Sequence, residues 1–218
     1  MILGDKIENF DLKTTGGDYK LYDHVENGWF AIFSHPADFT PVCTTELARL
    51  HDLSHKFFEK KVKVLALSID SVEKHKEWIK DIQCVSDNKG ELAYHIIADE
   101  SRHIATKLGM LDPVEKSKNG MPLTCRAAFI FGPDKSLKLS ILYPATTGRN
   151  FDEILRTIDS LQLTHNSKLA TPVDWKSGDE CILHPAISET KANKNYTGYR
   201  TVSLQSEKKY LRYYDYTK

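Results

Sequence analysis

Cys43 is the residue best placed to do chemistry. It ends the stretch Phe33-Ser34-His35-Pro36-Ala37-Asp38-Phe39-Thr40-Pro41-Val42-Cys43. Pro41 suits a first helical turn, because its missing N–H has no partner there anyway. A cysteine in that turn meets unpaired backbone N–H groups and the positive end of the helix dipole, and both favour thiolate over thiol. Magnitudes decide whether this is enough. Making thiolate the major form at neutral pH takes about 2.7 kcal/mol of preferential stabilisation of the anion. A helix end contributes ~0.3–1 kcal/mol, and a hydrogen bond to a charged group ~1.5–3 kcal/mol. A second donor or a cation is therefore required. Thr40, three residues earlier, can place its hydroxyl beside the sulfur, whereas the cation must come from elsewhere in the chain. Without such help, a cysteine at a helix start is more often a buried structural residue.

The elements around Cys43 follow from pattern. Trp29 to Phe33 is a short apolar run that reads as a buried strand. A helical stripe of Leu47, Leu50, Leu53, Ser54 and Phe57 predicts one long helix from about Val42 to Lys60. Val62 to Ile69 is a β-branched strand, and Ser71 can cap a helix running to Ile82, with Val72, His75, Trp78 and Ile79 on one side. Tyr94 to Ala98 predicts a strand. Ser101 to Leu108 predicts a short helix stopped by Gly109. Arg126–Phe131 and Leu137–Leu142 flank the turn Gly132-Pro133-Asp134-Lys135-Ser136 and predict a hairpin. Asn150 and Glu153 form a capping pattern for a helix ending near Leu163. Alternating strands and helices predict an α/β fold with a partly parallel sheet flanked by helices. From about residue 165 the texture becomes polar, aromatic and poor in helical period. Residues 165–218 thus read as a small extension of a domain spanning 1–164. Tyr210, Tyr213, Tyr214 and Tyr216 are numerous enough to pack on the core or on a second subunit.

Composition narrows the function classes. The 218 residues carry 30 Lys+Arg and 30 Asp+Glu, so no net field draws nucleic acid or an anionic membrane. No apolar run approaches the ~20 residues of a membrane span. The N-terminus has neither a signal-peptide core nor an Arg-rich transit pattern, which makes a reducing, cytoplasmic setting the default. Cys43, Cys84, Cys125 and Cys181 include no Cys-x-x-Cys pair, against zinc and thioredoxin-type sites. His51 and His55 lie one turn apart without a third ligand, so they read as a solvated helix face rather than a metal pair.

Pro36-x-x-x-Thr40-x-x-Cys43 matches the Pro-x-x-x-Thr-x-x-Cys signature of the peroxiredoxins. The longer run through Thr44-Thr45-Glu46-Leu47 resembles their one-cysteine branch, the peroxiredoxin 6-like subfamily. Leu108-Gly109-Met110-Leu111-Asp112-Pro113, Leu139 to Leu155 and Ala170-Thr171-Pro172-Val173-Asp174-Trp175-Lys176 extend the likeness, and Lys208 to Tyr213 carries it into the tail.

This resemblance implies a thioredoxin-like fold and a thiol peroxidase with no cofactor and no metal. Cys43 would be the peroxidatic cysteine, and Thr40 would hydrogen-bond thiolate and peroxide. Pro36 would shield the sulfur. Arg126 would supply the missing cation, with Arg149 as a second arginine near the pocket. His35 matches a histidine typical of the branch, and Glu46 a helix carboxylate linked to the arginines. The implied partners are peroxides, an external thiol such as glutathione or thioredoxin, and a second copy in a homodimer. Where two-cysteine relatives carry a resolving cysteine before Pro and Trp, this chain has Thr171. Cys181 does not match that place, and Cys84 and Cys125 read as structural. The phospholipase A2 set of some relatives is broken. Asp134 matches its aspartate, but Gly28 stands for its serine and Tyr22 for its histidine, and His24 has no nucleophile elbow near it. The alternative in a different class is a redox relay or chaperone-like module in which sulfenylated Cys43 passes to a partner protein.

Overall fold

Two polar strands open the chain, and the sequence pattern gives no warning of them. In the computed structural model, which describes residues 1–217, Asp11–Thr14 (β1) and Gly17–Lys20 (β2) pair as a tight hairpin before a short helix, Leu21–Val25 (α1). Trp29–Ser34 (β3) follows and is buried along its whole length, as a strand covered on both faces requires. Pro41–Asp52 (α2) and Ser54–Glu59 (α3) come next, then Val62–Ser68 (β4). The single long helix expected here is therefore two. Leu53 leaves helical geometry at φ −88° and ψ 2°, while the Asp52 carboxylate accepts from Asn88 N–H across the fold. A one-residue break leaves Leu47, Leu50, Leu53 and Phe57 buried together, so periodicity could not reveal it.

Val72–Val85 (α4) begins at Ser71, whose side chain accepts from Lys74 N–H at 3.3 Å, and it outruns the expected end at Ile82. His95–Ala98 (β5) and His103–Leu108 (α5) follow, and Gly109 ends α5 at φ 73°. Leu111–Lys116 (β6) and Pro122–Thr124 (β7) form a separate hairpin that sequence reading missed. Arg126–Phe131 (β8) and Leu137–Tyr143 (β9) form the expected one. The main sheet runs β2-β1-β5-β4-β3-β8-β9. β3, β4 and β5 are parallel and the outer pairs antiparallel, giving the mixed sheet of a thioredoxin-like fold. One face packs Phe30, Ile32, Leu65, Leu67 and Phe129 into a common core.

The chain separates into compact units Met1–Phe151 and Asp152–Lys218. Helix Phe151–Asn166 (α6) is followed by Leu169–Ala170 (β10), Cys181–Leu183 (β11), Glu189–Asn195 (α7), Arg200–Thr201 (β12) and Arg212–Tyr214 (β13). The four strands join in the order β10-β11-β13-β12. This region is more regular than its texture suggests, because strands of two or three residues are too short to show a period. Its own core holds Leu169, Trp175, Cys181 and Leu183, against which Tyr196, Tyr214 and Tyr216 pack. Tyr210, by contrast, is exposed.

Candidate active site

Cys43 lies in the first turn of α2, just after the loop that leaves β3, and is fully buried. Parallel pairing of β3 with β4 puts that loop and helix start at the carboxyl end of the sheet. Arg126, the first residue of β8, reaches it from a neighbouring strand. Its Nη1 lies 3.3 Å from Cys43 Sγ and 2.9 Å from Glu46 Oε2. Nε and Nη2 of Arg126 both donate to the Ala145 carbonyl, at 2.9 and 2.5 Å.

Glu46, one turn after Cys43, also binds Arg149. Arg149 N–H donates to Glu46 Oε1 at 2.7 Å and Nη2 to Oε2 at 2.9 Å, while Nη1 donates to the Ser34 and Ala127 carbonyls at 2.9 and 2.7 Å. The Arg149 guanidinium also lies 5.5 Å from the centre of the Phe33 ring. Cys43, Glu46, Arg126 and Arg149 are all buried. Two guanidinium groups thus face one carboxylate, an excess of one positive charge in a low-dielectric site beside the sulfur. A buried unpaired charge is costly, so the cluster favours a further negative charge beside it.

The remaining expected residues sit in the loop. Pro36 is buried beside His35. Thr40 caps α2 by position but not by a side-chain bond: its hydroxyl donates to the Ala37 carbonyl at 2.8 Å, and its own carbonyl receives the Thr44 hydroxyl at 2.9 Å. The Thr40 hydroxyl proton is therefore directed at the loop, leaving its oxygen lone pairs as acceptors. Phe39 adopts φ 56°, a strained value for an aromatic residue. His35 contacts neither Cys43 nor the arginines by a hydrogen bond. Its Nε2 lies 2.9 Å from Asp38 Oδ1, and His75 Nδ1 lies 2.5 Å from Asp38 Oδ2.

Asp38 and His75 are the residues that sequence reading missed. Burial alone would push the Asp38 carboxyl up, but the hydrogen bonds from His35 and His75 outweigh it and hold it well below the usual carboxylate range. Burial drives His35 below the ordinary imidazole value, with Asp38 opposing. The signal was a histidine on the apolar side of a helix, where a polar group needs a buried partner. His51 corrects another expectation: it is fully buried rather than solvated, while His55 is exposed. Among the described residues no group of three or more His, Cys, Asp or Glu is arranged to hold a metal.

All four cysteines are free, and only Cys84 is exposed. Burial raises the thiols of Cys125 and Cys181 above their ordinary value. A groove of about 490 Å³ runs past Thr40, Pro41, Thr44 and Cys84. A cavity of about 510 Å³ lined by His24, Phe57, Phe58 and Tyr94 includes no member of the Cys43 network. The remnants of the phospholipase set are also apart in role. Asp134 binds Ser136 and Lys138, the Tyr22 hydroxyl donates to the Ile7 carbonyl, and Gly28 offers no nucleophile. No helix among the described residues is long and apolar enough to cross a membrane.

Residues 3–140 match the AhpC/TSA family, and residues 160–198 match the C-terminal domain of 1-Cys peroxiredoxin. Peroxiredoxin-6 of Gallus gallus is 55% identical over 98% of this chain and 96% of its own length. Peroxiredoxin-6 of Homo sapiens is 54% identical over the same shares. The crystal structure of a cysteine-to-serine mutant of Arenicola marina peroxiredoxin 6 superposes with a TM-score of 0.97, at 53% identity, covering 99% of this chain and 98% of that one. A yeast mitochondrial 1-Cys peroxiredoxin, described as resolved through glutathione/thioredoxin systems, matches with a TM-score of 0.90 and 36% identity, covering 98% and 99%. A cysteine at a helix start, answered by an arginine from a neighbouring strand, is thus set in sequence and fold shared along nearly the whole chain, which belongs to the peroxiredoxin 6-like branch of the 1-Cys peroxiredoxins, thiol-dependent peroxidases with a single peroxidatic cysteine.

Proposed function

We propose that Cys43 is the peroxidatic cysteine and that it reduces hydrogen peroxide and organic hydroperoxides. The observation that carries this reading is the Arg126 Nη1 to Cys43 Sγ contact of 3.3 Å inside a buried cluster with one positive charge in excess. The thiolate attacks one peroxide oxygen along the O–O axis. The S–O bond forms as the O–O bond breaks, sulfur is oxidised to sulfenic acid, and the other oxygen leaves as water or an alcohol after taking a proton. Arg126 steadies the thiolate and the charge that develops on oxygen, a case of electrostatic preorganisation. Glu46 and Arg149 hold Arg126 in place. Thr40 offers its oxygen to the peroxide proton, Pro36 keeps water from the sulfur, and His35 orders the loop.

An outside thiol then condenses with the sulfenic acid, releasing water, and a second thiol frees Cys43 as a disulfide leaves. Glutathione or thioredoxin is the reductant this reading favours, on the strength of the yeast relative. Residues 1–164 serve as the peroxidase domain and 165–218 as an extension in the contacts of a homodimer; the half-buried tail tyrosines support this. Four unpaired cysteines support a reducing, cytoplasmic setting. The test is peroxide consumption with dithiothreitol as reductant. Cys43→Ser is expected to abolish it, and a variant as fast as the wild type overturns the reading.

A further inference from the structure

We propose that His75, on α4, is a positioning residue for the peroxidatic loop, acting through Asp38; the inference rests on the reading of Cys43 as the reacting thiol. The loop between β3 and α2 carries His35, Pro36 and Thr40, and Asp38 sits in its middle. Asp38 N–H donates to Asp70 Oδ2 at 2.8 Å, its Oδ2 meets His75 Nδ1 at 2.5 Å and its Oδ1 meets His35 Nε2 at 2.9 Å. An ionised carboxylate only accepts, so both ring nitrogens facing it carry the hydrogen. One carboxylate therefore fixes both imidazole rings and joins the loop to α4.

Three residues along the same helix, Trp78 Nε1 donates to Thr44 Oγ1 at 3.1 Å, and that hydroxyl donates to the Thr40 carbonyl. The two α4 side chains thus hold the chain before Cys43 and directly after it. The arrangement is poor as simple glue for the fold. Asp38, His35 and His75 are all buried, and His35 Nδ1 and His75 Nε2 meet no hydrogen-bond partner among the described residues. Each such atom carries the desolvation penalty of an unmet polar group, and an apolar filling of equal volume would avoid it. The strained φ of 56° at Phe39 lies between Asp38 and Thr40, in the same loop. Strain and unmet polar groups in a loop that presents a reacting residue mark a geometry maintained for chemistry rather than for stability. Small displacements matter there, since about 1 Å can change a rate 10²-fold.

The test uses the spacing of donor atoms. In His75→Asn the amide nitrogen stands where Nδ1 stood, in His75→Gln where Nε2 stood, and in His75→Leu there is no donor. The second-order rate of hydrogen peroxide consumption is measured for the three full-length variants beside wild type and Cys43→Ser. His75→Asn is expected to stay within about threefold of wild type, with His75→Gln and His75→Leu at least about tenfold slower. Equal rates for Asn and Gln, whether fast or slow, overturn the proposal, as does a Gln variant faster than Asn. If His75→Leu does not fold, the Asn–Gln comparison still decides. Retained activity in Cys43→Ser instead removes the reading on which the inference rests, so the two failures are distinguishable.

Discussion

Glu46 shows how one side chain sets the electrostatics of the site. It accepts from Arg126 at 2.9 Å and from three nitrogens of Arg149, so its removal leaves two buried guanidinium groups without their shared counter-charge. Breaking a buried ion pair from one side costs about 3–5 kcal/mol. Glu46→Gln is expected to lower the urea unfolding free energy by that order and to slow peroxide consumption, because Arg126 loses its anchor. An unchanged unfolding midpoint would contradict the charge balance drawn here. His24 makes a pH statement at the same scale. Burial, then the neighbouring His95 and Lys63, lowers it from the ordinary 6.5 to about 4. Between those values the unfolded chain binds a proton that the folded chain does not, so stability falls as pH drops from about 6.5 to about 4. His24→Phe keeps a ring against Tyr19, 4.8 Å away between centroids, and removes the titration. Urea midpoints at pH 7 and pH 5 should differ less in His24→Phe than in wild type. The slope does not vanish, since burial lowers His35 and His95 as well.

At the scale of elements, what pattern reveals depends on length. β3, β4 and α4 were legible because each runs long enough to show a period or a continuous apolar stretch. Cys43 at a helix start was legible for the same reason. The β1–β2 and β6–β7 hairpins were not: β1 alternates over only four residues, β7 has three, and β2 and β6 bury no residue fully, so none carries a pattern long enough to separate it from loop. The partnership of His35, Asp38 and His75 was hidden by separation, since α4 reaches the loop only through the packing of the whole unit. Gly109 is a case where a single residue type gave the answer. It ends α5 at φ 73°, and a Cβ there would meet nothing closer than the Met1 nitrogen at 3.7 Å. Space therefore does not limit substitution, but conformation does. Gly109→Ala is expected to destabilise by about 1 kcal/mol, the left-handed penalty of ~1–2 less the entropy that alanine removes from the unfolded chain. Thermal unfolding checks it, and a Tm equal to wild type would show that the helix end relaxes elsewhere.

The whole molecule gathers its site from distant stretches. Ser34, Cys43, Glu46, Arg126, Ala145 and Arg149 meet only because β3 and β8 are neighbours in the sheet. The cation that the energy of thiolate formation demanded is thus supplied by topology. Resolution has no such provision. By the family resemblance Thr171 stands where two-cysteine relatives carry a resolving cysteine, and its hydroxyl bonds Ser160 at 2.6 Å. Cys125 and Cys181 are buried with raised thiols, in the forms least able to attack a sulfenic acid. Turnover is then expected to draw on a thiol from solution, with the exposed Cys84 the one internal alternative. A variant retaining Cys43 alone, with Cys84→Ser, Cys125→Ala and Cys181→Ala, is expected to consume hydrogen peroxide with dithiothreitol within about twofold of the wild-type rate. Its oxidised form should appear by mass as a sulfenic acid or a mixed disulfide, with no internal disulfide in the wild type either. If Cys181→Ala by itself abolished turnover with thioredoxin while sparing the first oxidation of Cys43, Cys181 would be a resolving cysteine. The single-cysteine account of the cycle would then be lost even though the chemistry at Cys43 stood.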